Sequence, residues 1–207
     1  MQTVSINGSD GVGKTQQISL LTNGAKGLNF TGRLIDYSSR WPKLTPVEEF
    51  TWWFKDVPFT ELVSIIIESI KARELACRQD RLNVHDRGVR MFKAVCAATL
   101  LVREQTTVDK AIEIVDGLFE SASLNHEVGT EVLLRSSSEY RAKIKPILQI
   151  VNAQSTNYLP WQNEMYAEYQ TWLAHFIDHY FLNSGSAKVV QVDGCILDVQ
   201  NRIRKVI

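Results

Sequence analysis

Residues 8–15 read Gly8-Ser9-Asp10-Gly11-Val12-Gly13-Lys14-Thr15, and this stretch decides the fold. It fits the phosphate-binding pattern G-x-x-x-x-G-K-[ST] at every fixed position. In a loop of this kind the glycines let backbone N–H groups turn around a β-phosphate, Lys14 reaches the β- and γ-oxygens, and the Thr15 hydroxyl ligates Mg²⁺. The stretch therefore predicts a site for a nucleoside triphosphate. The alternative is a glycine-rich turn that contains a lysine by chance.

The flanking sequence supports a phosphate-binding loop. Residues 3–7 form a short run with β-branched side chains directly before Gly8, which is typical of a strand. Residues 15–21 carry Ile18 and Leu21 at helical spacing. A strand before the loop and a helix after it are the context that such a loop requires.

The composition is that of an ordinary globular domain. Of the 207 residues, 44% are hydrophobic and 22% are charged, which suits one domain with a sizeable core. Lys and Arg total 23, Asp and Glu also total 23, and no basic run is longer than two residues, so no nucleic-acid partner is expected. The longest apolar stretches are far shorter than a membrane span, so no membrane partner is expected either.

The cysteines and the position of the loop indicate the compartment. Cys77, Cys96 and Cys195 are odd in number and show no metal-ligand spacing, which favours free thiols in a reducing environment. The phosphate-binding loop begins at Gly8, which leaves no room for a signal peptide. We therefore expect a cytoplasmic protein.

Strand-like and helix-like segments alternate along the chain. The strand-like segments are residues 3–7, 31–37, 81–86, 130–135 and 188–193. The helix-like segments are residues 58–79, 91–104, 108–121, 138–151 and 163–182. Such alternation predicts an α/β fold, a three-layer sandwich of the P-loop NTPase type in which helices cover both faces of a five-stranded parallel sheet. We expect residues 1–207 to form a single domain with a small lid.

Two segments interrupt this alternation. Residues 41–58 are rich in aromatic side chains and contain three prolines, and we expect them to form an insertion on the acceptor side of the site. Residues 152–162 are polar, lie between two helix-like segments and contain one proline. This second segment predicts a mobile lid loop.

A second motif, Asp86-Arg87-Gly88, lies at the end of the third strand-like segment. A carboxylate here can hold the Mg²⁺ shell or orient the acceptor oxygen, and the adjacent arginine can neutralise charge on a phosphoryl group in transfer. The alternative is a polar turn, because Asp and Gly are favoured in turns. Lys14, Asp86 and Arg87 are the predicted catalytic residues.

The chain resembles thymidylate kinases. Residues 8–15 look like the G-x-D-G-x-G-K-[ST] loop of that family, and Asp10 at the third position is its distinctive feature. Asp86-Arg87 is similar to the family's Asp-Arg-aromatic motif, and residues 39–42 are similar to its Thr-Arg-Glu-Pro motif. The resemblance implies a nucleoside monophosphate kinase that uses ATP and Mg²⁺, in which Asp10 faces the acceptor sugar. It also implies a homodimer.

The sequence departs from the thymidylate kinase pattern in several of its motifs. Gly88 replaces the aromatic residue after Asp-Arg, and Trp41 replaces the Glu of the Thr-Arg-Glu-Pro motif. Ser69 stands where the family places a base-stacking aromatic residue, four positions before Arg73. Residues 152–162 contain no Lys or Arg that could act as a catalytic cation. We therefore expect thymidylate to be a poor acceptor, or one of several.

Several further side chains are candidate site residues, and for most of them a purely structural role is the alternative. Arg40 could grip an acceptor phosphate, or it is a solvated loop residue. Trp53 belongs to an aromatic cluster that forms either a stacking wall for a base or core beneath a long loop. Arg73 is a substrate contact by resemblance, and Arg141 either reaches the triphosphate or lies on a solvated helix face. His85 is expected to be a core histidine, since it points away from the catalytic face of its strand.

The sequence thus predicts an enzyme that transfers the γ-phosphate of Mg·ATP to a nucleoside monophosphate, thymidylate-like, or to a similar small acceptor. The alternatives are a kinase of a nucleoside or other non-nucleotide molecule, a regulatory protein on a degenerate kinase fold, and a nucleotide-dependent switch, although no Asn-Lys-x-Asp motif is present. The predicted nucleotide-binding residues are Gly8, Ser9, Gly11, Val12, Gly13, Lys14, Thr15 and Arg141. The predicted substrate-binding residues are Asp10, Arg40, Trp53, Arg73 and Arg87, and the predicted metal ligands are Thr15 and Asp86.

Overall fold

The structure, a computed structural model, describes residues 2–23, 25–104, 106–124, 129–137, 159–182, 185 and 187–207. The strands are β1 (Gln2–Asn7), β2 (Leu28–Phe30), β3 (Leu82–Asp86), β4 (Thr130–Arg135) and β5 (Lys188–Gln191). The α-helices are α1 (Lys14–Thr22), α2 (Pro46–Thr51), α3 (Phe59–Leu75), α4 (Val89–Arg103), α5 (Val108–Ser121), α6 (Pro160–Ile177) and α7 (Ile196–Arg204). A 3₁₀-helix spans Leu34–Tyr37, and π-helical turns span Trp52–Asp56 and Asp178–Leu182.

The described strands form a five-stranded sheet in the order β2-β3-β1-β4-β5, and every neighbouring pair is parallel. This confirms the predicted parallel sheet. In β1, which lies at the centre, Val4 pairs with Val84 of β3 on one side and with Thr130 of β4 on the other. The strand order reverses around β1, so the carboxyl ends of β1, β3 and β4 meet at one crevice, where open α/β sheets bind their ligands.

Two buried clusters cover the two faces of the sheet. One contains Leu133 of β4 and Phe119 of α5, together with residues of α3, α4 and α6. The other contains Leu134 of β4, Ile18 of α1 and Ile203 of α7. Because successive residues of a strand point to opposite faces, Leu133 and Leu134 place the two clusters on opposite sides of the sheet. Helices therefore lie on both faces, as the sequence predicted.

The prediction of a strand over residues 31–37 is wrong. β2 ends before this segment, and Leu34–Tyr37 forms a 3₁₀-helix. Gly32 has a φ of 84°, a left-handed conformation that ends the extended backbone. The Asp36 carboxylate then accepts a hydrogen bond from the backbone N–H of Arg33 at 3.1 Å, which closes the turn.

The other predicted elements lie close to the observed ones. The predicted bounds of β4 and α5 coincide with the structure, and those of β3, β5, α3, α4 and α6 differ by a few residues. The predicted helix over residues 138–151 lies outside the described residues. None of the helices in the described ranges is both long and apolar enough to span a bilayer.

The structure describes the first of the two interrupting segments in full and only the end of the second. Within residues 41–58, α2 begins with a capping box in which Thr45 and Glu48 bond to each other's backbone N–H groups. The predicted lid loop over residues 152–162 is wrong in its last three residues, which form the first turn of α6. Pro160 favours this helix start because its fixed φ suits the first helical position. Residues 152–158 lie outside the described residues.

Candidate active site

The phosphate-binding loop joins β1 to α1 and is shaped by its glycines. Gly8, Gly11 and Gly13 have φ values of 139°, 80° and 84°, which residues with a Cβ rarely adopt. A Cβ at Gly8 would lie 2.6 Å from the backbone oxygen of Leu134, so the loop packs directly against β4. α1 then begins at Lys14, and the unpaired backbone N–H groups of a helix start favour an anion.

Lys14 is held inside the loop. Its Nζ donates to the backbone oxygens of Gly8 at 2.9 Å and Ser9 at 2.8 Å, and lies 3.6 Å from Asp10 Oδ1. Burial and the nearby Arg87 guanidinium lower the pKa of Lys14 to about 8. A bound triphosphate would supply negative charge that favours the ammonium form.

Arg87 connects the end of β3 to the loop. Its backbone has a φ of 68°, a left-handed conformation that is uncommon for residues other than glycine. Its Nη2 donates to Asp10 Oδ1 at 3.1 Å, and its Nη1 lies 3.5 Å from Asp86 Oδ2. Burial lowers the pKa of Arg87, but Asp86 and Asp10 outweigh burial and hold it above its ordinary value. One guanidinium is thus shared by two carboxylates, one from each predicted motif.

An open cleft with about 640 Å³ of empty space lies over these groups. It is lined by Asp10, Gly11, Gly13, Lys14, Thr15, Gln16 and Arg87. The cleft combines the loop backbone with two cationic side chains and a carboxylate. Four of the eight residues that the sequence assigned to nucleotide binding, Gly11, Gly13, Lys14 and Thr15, therefore line the cleft at the crevice where the strand order reverses.

Asp86 and Thr15 offer oxygen atoms to a magnesium ion. Asp86 Oδ1 is buried, and no hydrogen-bond partner for it lies among the described residues. Thr15 lines the cleft, and its hydroxyl is a hard oxygen ligand. In the described part of the chain no cluster of three or more His, Cys, Asp or Glu could hold a metal. Mg²⁺ usually binds through one or two protein oxygens, several waters and phosphate groups, and the Asp86 and Thr15 oxygens are of that kind.

Asp10 is anchored by α6, a contact that the sequence analysis missed. Asp10 Oδ2 accepts hydrogen bonds from the Tyr166 hydroxyl at 3.0 Å and from Gln170 Nε2 at 2.9 Å. Burial raises the pKa of Asp10, but Lys14, Arg87 and these two hydrogen bonds outweigh burial and hold the pKa below its usual value. Asp10 is therefore an ionised carboxylate with a fixed orientation. The one signal in the sequence is the four-residue spacing of Tyr166 and Gln170, which places both on one helix face.

Arg73 of α3 lies beneath the turn that follows β3. It is 1% exposed, and its Nη1 donates to the carbonyl oxygens of Arg87 at 2.9 Å and Asp86 at 3.4 Å. Its guanidinium lies 5.8 Å from the centre of the Phe92 ring. Arg73 thus contacts the backbone of the site residues and is not among the residues that line the cleft.

A solved thymidylate kinase shares this architecture. The thymidylate kinase of Candida albicans matches with a TM-score of 0.63 and 13% sequence identity, over 99% of this chain and 90% of that chain. The chain has a thymidylate kinase-like fold. A thymidylate kinase from Ehrlichia chaffeensis matches with a TM-score of 0.49 and 13% identity, over 99% of this chain and 97% of that chain. No family model and no curated protein matches the sequence.

Within this thymidylate kinase-like fold, Arg40 is bound to α3. Its Nη1 donates to Ser64 Oγ at 3.1 Å and to Glu68 Oε2 at 3.2 Å, and its Nη2 lies 3.6 Å from Glu61 Oε1. Hydrogen bonds from Ser38 and from Arg40 lower the pKa of Glu68, which stays ionised. These contacts of the Arg40 side chain all lie on α3, and within the described ranges Arg40 is not among the residues that line the cleft.

Trp53 belongs to an aromatic cluster that packs on the core. Its ring stacks on Trp41 with centroids 6.1 Å apart and planes at 13°, and its Nε1 donates to Thr99 Oγ1 at 3.0 Å. The Trp41 Nε1 donates to Ser69 Oγ at 2.8 Å. Both rings are partly buried against the cluster that includes α3 and α4. This placement supports the interpretation of these aromatics as core beneath a long loop.

His85 is a core histidine, as the sequence predicted. It is 2% exposed, and its Nδ1 lies 2.9 Å from Thr31 Oγ1. Burial and the Arg73 charge lower the pKa of His85 to about 3, so the ring is neutral. Arg141 lies outside the described residues.

Proposed function

We propose that the chain is an ATP-dependent phosphotransferase that moves the γ-phosphate of Mg·ATP to a nucleoside monophosphate or a similar small acceptor. The observation that carries the proposal is the meeting of Asp10, Lys14 and Arg87 at one cleft, next to Asp86. The thymidylate kinase-like fold supports a kinase of this general kind. Because the pattern for triphosphate binding does not require Asp10, its carboxylate in the cleft suits a second ligand.

The loop would hold the triphosphate of the donor. Lys14 would exchange its bonds to the Gly8 and Ser9 oxygens for bonds to β- and γ-phosphate oxygens. Hydrogen bonds between charged groups are shorter and stronger than those to neutral carbonyls, so the exchange favours binding. Backbone N–H groups at the start of α1 add further donors.

Thr15 and, through water, Asp86 would hold Mg²⁺, which neutralises charge on the phosphates when it is bound. Asp86 Oδ1 is suited to this task because it is buried and no partner occupies it within the described ranges. The Asp86 Oδ2 atom faces Arg87 at the same time, so the carboxylate connects the metal side of the site to the arginine.

Arg87 would act on the phosphoryl group in transfer. Its guanidinium lies between Asp10 and Asp86, and it can turn towards the γ-phosphate while it keeps a carboxylate beside it. An arginine in this place stabilises charge on the transferring oxygens. Arg90 is close in sequence, but its Nη1 lies 2.9 Å from Oε2 of the buried Glu131, so it is committed elsewhere.

Asp10 would orient the acceptor, since Tyr166 and Gln170 fix its carboxylate on the α6 side of the loop. The Candida albicans enzyme has broad substrate specificity. We propose that thymidylate is a poor acceptor of this chain, or one of several, because Gly88 and Ser69 stand where thymidylate kinases have aromatic residues. The homodimer and the cytoplasmic location stay predictions.

A coupled assay of ADP release tests this function. The full chain is supplied with Mg·ATP, first alone and then with a panel of nucleosides and nucleoside monophosphates. ADP release that depends on an acceptor supports the kinase. Binding of GTP alone would indicate a switch, and nucleotide binding without acceptor-dependent turnover would indicate a regulatory protein. The Lys14→Ala variant is the negative control, which should keep its unfolding temperature and lose turnover.

A further inference from the structure

The arginines that the sequence assigned to the acceptor are all engaged by the protein itself. An acceptor phosphate needs cationic partners, and Arg40, Arg73 and Arg87 are the assigned ones. In the structure Arg40 contacts carboxylates, Arg73 contacts backbone carbonyls, and Arg87 contacts carboxylates. These contacts help to decide which chemical class of acceptor the site can bind.

Arg40 is flanked by two carboxylates on α3. Glu61 and Glu68 are seven residues apart, with Ser64 between them, so the helix presents all three on one face beside the guanidinium. These side chains are about half exposed, and each ion pair alone is weak. A phosphate could therefore displace a carboxylate from Arg40, but it would then lie beside two negative charges. The charge around Arg40 opposes a phosphate.

Arg73 and Arg87 do not replace Arg40 as phosphate partners. Arg73 is 1% exposed beneath the turn after β3, with its Nη1 on the carbonyl oxygen of Arg87. Arg87 lines the cleft, but Asp10 and Asp86 share its charge, and its proposed partner is the γ-phosphate of the donor.

Among the described residues at the cleft, the charges balance before any ligand binds. Lys14 and Arg87 contribute two positive charges, and Asp10 and Asp86 contribute two negative ones. Mg·ATP adds net negative charge to this neutral group. A monophosphate acceptor would add a further charge of about −1.5 to −2 near neutral pH, whereas an uncharged hydroxyl compound adds none.

Resting on the proposed phosphotransferase function, we propose that the preferred acceptor is an uncharged hydroxyl compound of the nucleoside class, used better than the corresponding nucleoside monophosphate. The acceptor hydroxyl oxygen forms a bond to the γ-phosphorus, and the bond from that phosphorus to the β,γ-bridging oxygen breaks. ADP leaves, and the hydroxyl proton passes to the Asp10 carboxylate and then to solvent. A hydroxyl nucleophile needs such a proton acceptor, and the ionised Asp10 carboxylate, oriented by Tyr166 and Gln170, provides it.

Matched pairs of acceptors test the proposal on the wild-type chain. Thymidine, deoxycytidine and deoxyguanosine are each compared with their own 5′-monophosphate by ADP release with Mg·ATP. For the best pair we expect the kcat/KM of the nucleoside to exceed that of the monophosphate by about tenfold or more. Monophosphates that are better acceptors than their nucleosides would overturn this proposal and leave the phosphotransferase intact. ADP release that no acceptor stimulates would overturn the phosphotransferase and this proposal together.

A double variant tests whether the carboxylates of Glu61 and Glu68 disfavour a phosphate beside Arg40. Glu61→Gln with Glu68→Gln removes the negative charge beside Arg40 and should raise the kcat/KM of the monophosphate relative to that of the nucleoside by about tenfold. Glu113→Gln is the matched control, because Glu113 pairs with Lys110 at 2.9 Å on the exposed surface of α5. It should leave the ratio unchanged. A double variant whose ratio equals that of the wild type would overturn the exclusion of phosphate by charge.

Discussion

Arg73 supports the backbone of Arg87 from beneath the cleft, since its Nη1 donates to the Arg87 carbonyl oxygen at 2.9 Å. Arg87 has a φ of 68°, and a left-handed backbone costs a residue with a side chain about 1–2 kcal/mol. A hydrogen bond from a charged donor contributes about 1.5–3 kcal/mol, which is enough to offset that cost. The same turn places the Arg87 guanidinium against Asp10. We therefore expect Arg73 to act on phosphoryl transfer by positioning Arg87.

Replacing Arg73 with Met should lower kcat by about tenfold or more and leave the KM for Mg·ATP within about threefold, because Met cannot hold the carbonyl of Arg87. Arg73→Lys should recover part of the lost kcat, since it keeps a charged donor. Arg78→Met is the matched control, because Arg78 is half exposed and pairs with Asp80. Steady-state kinetics measure all three variants. An unchanged kcat in Arg73→Met would show that the turn at Arg87 keeps its conformation without the hydrogen bond from Arg73.

Asp86→Asn and Arg87→Ala should each lower kcat by about 10³-fold and change the Kd of Mg·ATP little, because both groups act mainly on the transferring phosphoryl. Arg90 does not compensate for Arg87, since Glu131 holds it at 2.9 Å. The coupled assay gives kcat, and titration calorimetry gives Kd. If both variants keep the wild-type kcat, the Asp86-Arg87 motif is only a polar turn at the end of β3.

The phosphate-binding loop of the candidate site could be predicted from the sequence because its pattern is local. The loop over residues 8–15 carries both its glycines and its lysine, and a parallel sheet brings the ends of β1 and β3 to one edge. Asp10 and Arg87 therefore meet although they are 77 positions apart in the chain. The alternation of strands and helices predicts the parallel sheet that creates this shared edge.

The contacts of Asp10 and Arg73 could not be predicted in the same way. Tyr166 and Gln170 reach Asp10 from 156 and 160 positions away, and neither residue type marks a site by itself. The contacts of Arg73 depend on its burial, which a sequence does not display. The wrong second strand has a similar cause, because the side chain of Asp36 closes a local turn that competes with the sheet.

The affinity for Mg·ATP should fall as the pH rises above about 8. Burial and Arg87 lower the pKa of Lys14 to about 8, so the free protein loses the ammonium charge above that pH. Phosphate oxygens favour the charged form and raise the pKa in the complex, so binding takes up a proton. Linkage then predicts a Kd that rises by up to about tenfold per pH unit. Calorimetry in buffers of different ionisation enthalpy measures both Kd and proton uptake.

The Lys14→Arg variant is the control for this pH dependence. A guanidinium stays protonated throughout the range, so the variant should bind Mg·ATP without proton uptake. Lys110→Arg, at an exposed ion pair on α5, should behave as the wild type does. Equal proton uptake by wild type and Lys14→Arg would assign the proton to another group.

The stability of the protein should fall as the pH drops, because His85 is buried in its neutral form. Its pKa is about 3 in the folded protein, through burial and the charge of Arg73, whereas the unfolded chain binds the proton near its ordinary value of about 6.5. Between these values the unfolded state holds more protons. The free energy of unfolding therefore rises with pH by up to about 1.4 kcal/mol per unit. Urea unfolding from about pH 4 to about pH 7.5 measures this slope.

His85→Gln should flatten that slope, because glutamine can keep a hydrogen bond to Thr31 but does not titrate. His175→Gln is the matched control, since His175 is exposed on α6, and it should keep the wild-type slope. If the slope of His85→Gln equals that of the wild type, carboxylates and not His85 carry the pH dependence.

Removing the Tyr166 hydroxyl should weaken acceptor use without weakening donor binding. This hydroxyl donates to Asp10 Oδ2 at 3.0 Å, and a bond to a charged group contributes about 1.5–3 kcal/mol. Tyr166→Phe keeps the ring beside Tyr169 but loosens Asp10, so the acceptor kcat/KM should fall about tenfold while the Kd of Mg·ATP changes by less than about threefold. Tyr180→Phe, whose hydroxyl donates to Asp116 at 3.3 Å, is the matched control and should change neither quantity. Equal losses of acceptor use and Mg·ATP affinity in Tyr166→Phe would assign Asp10 to the donor side of the cleft.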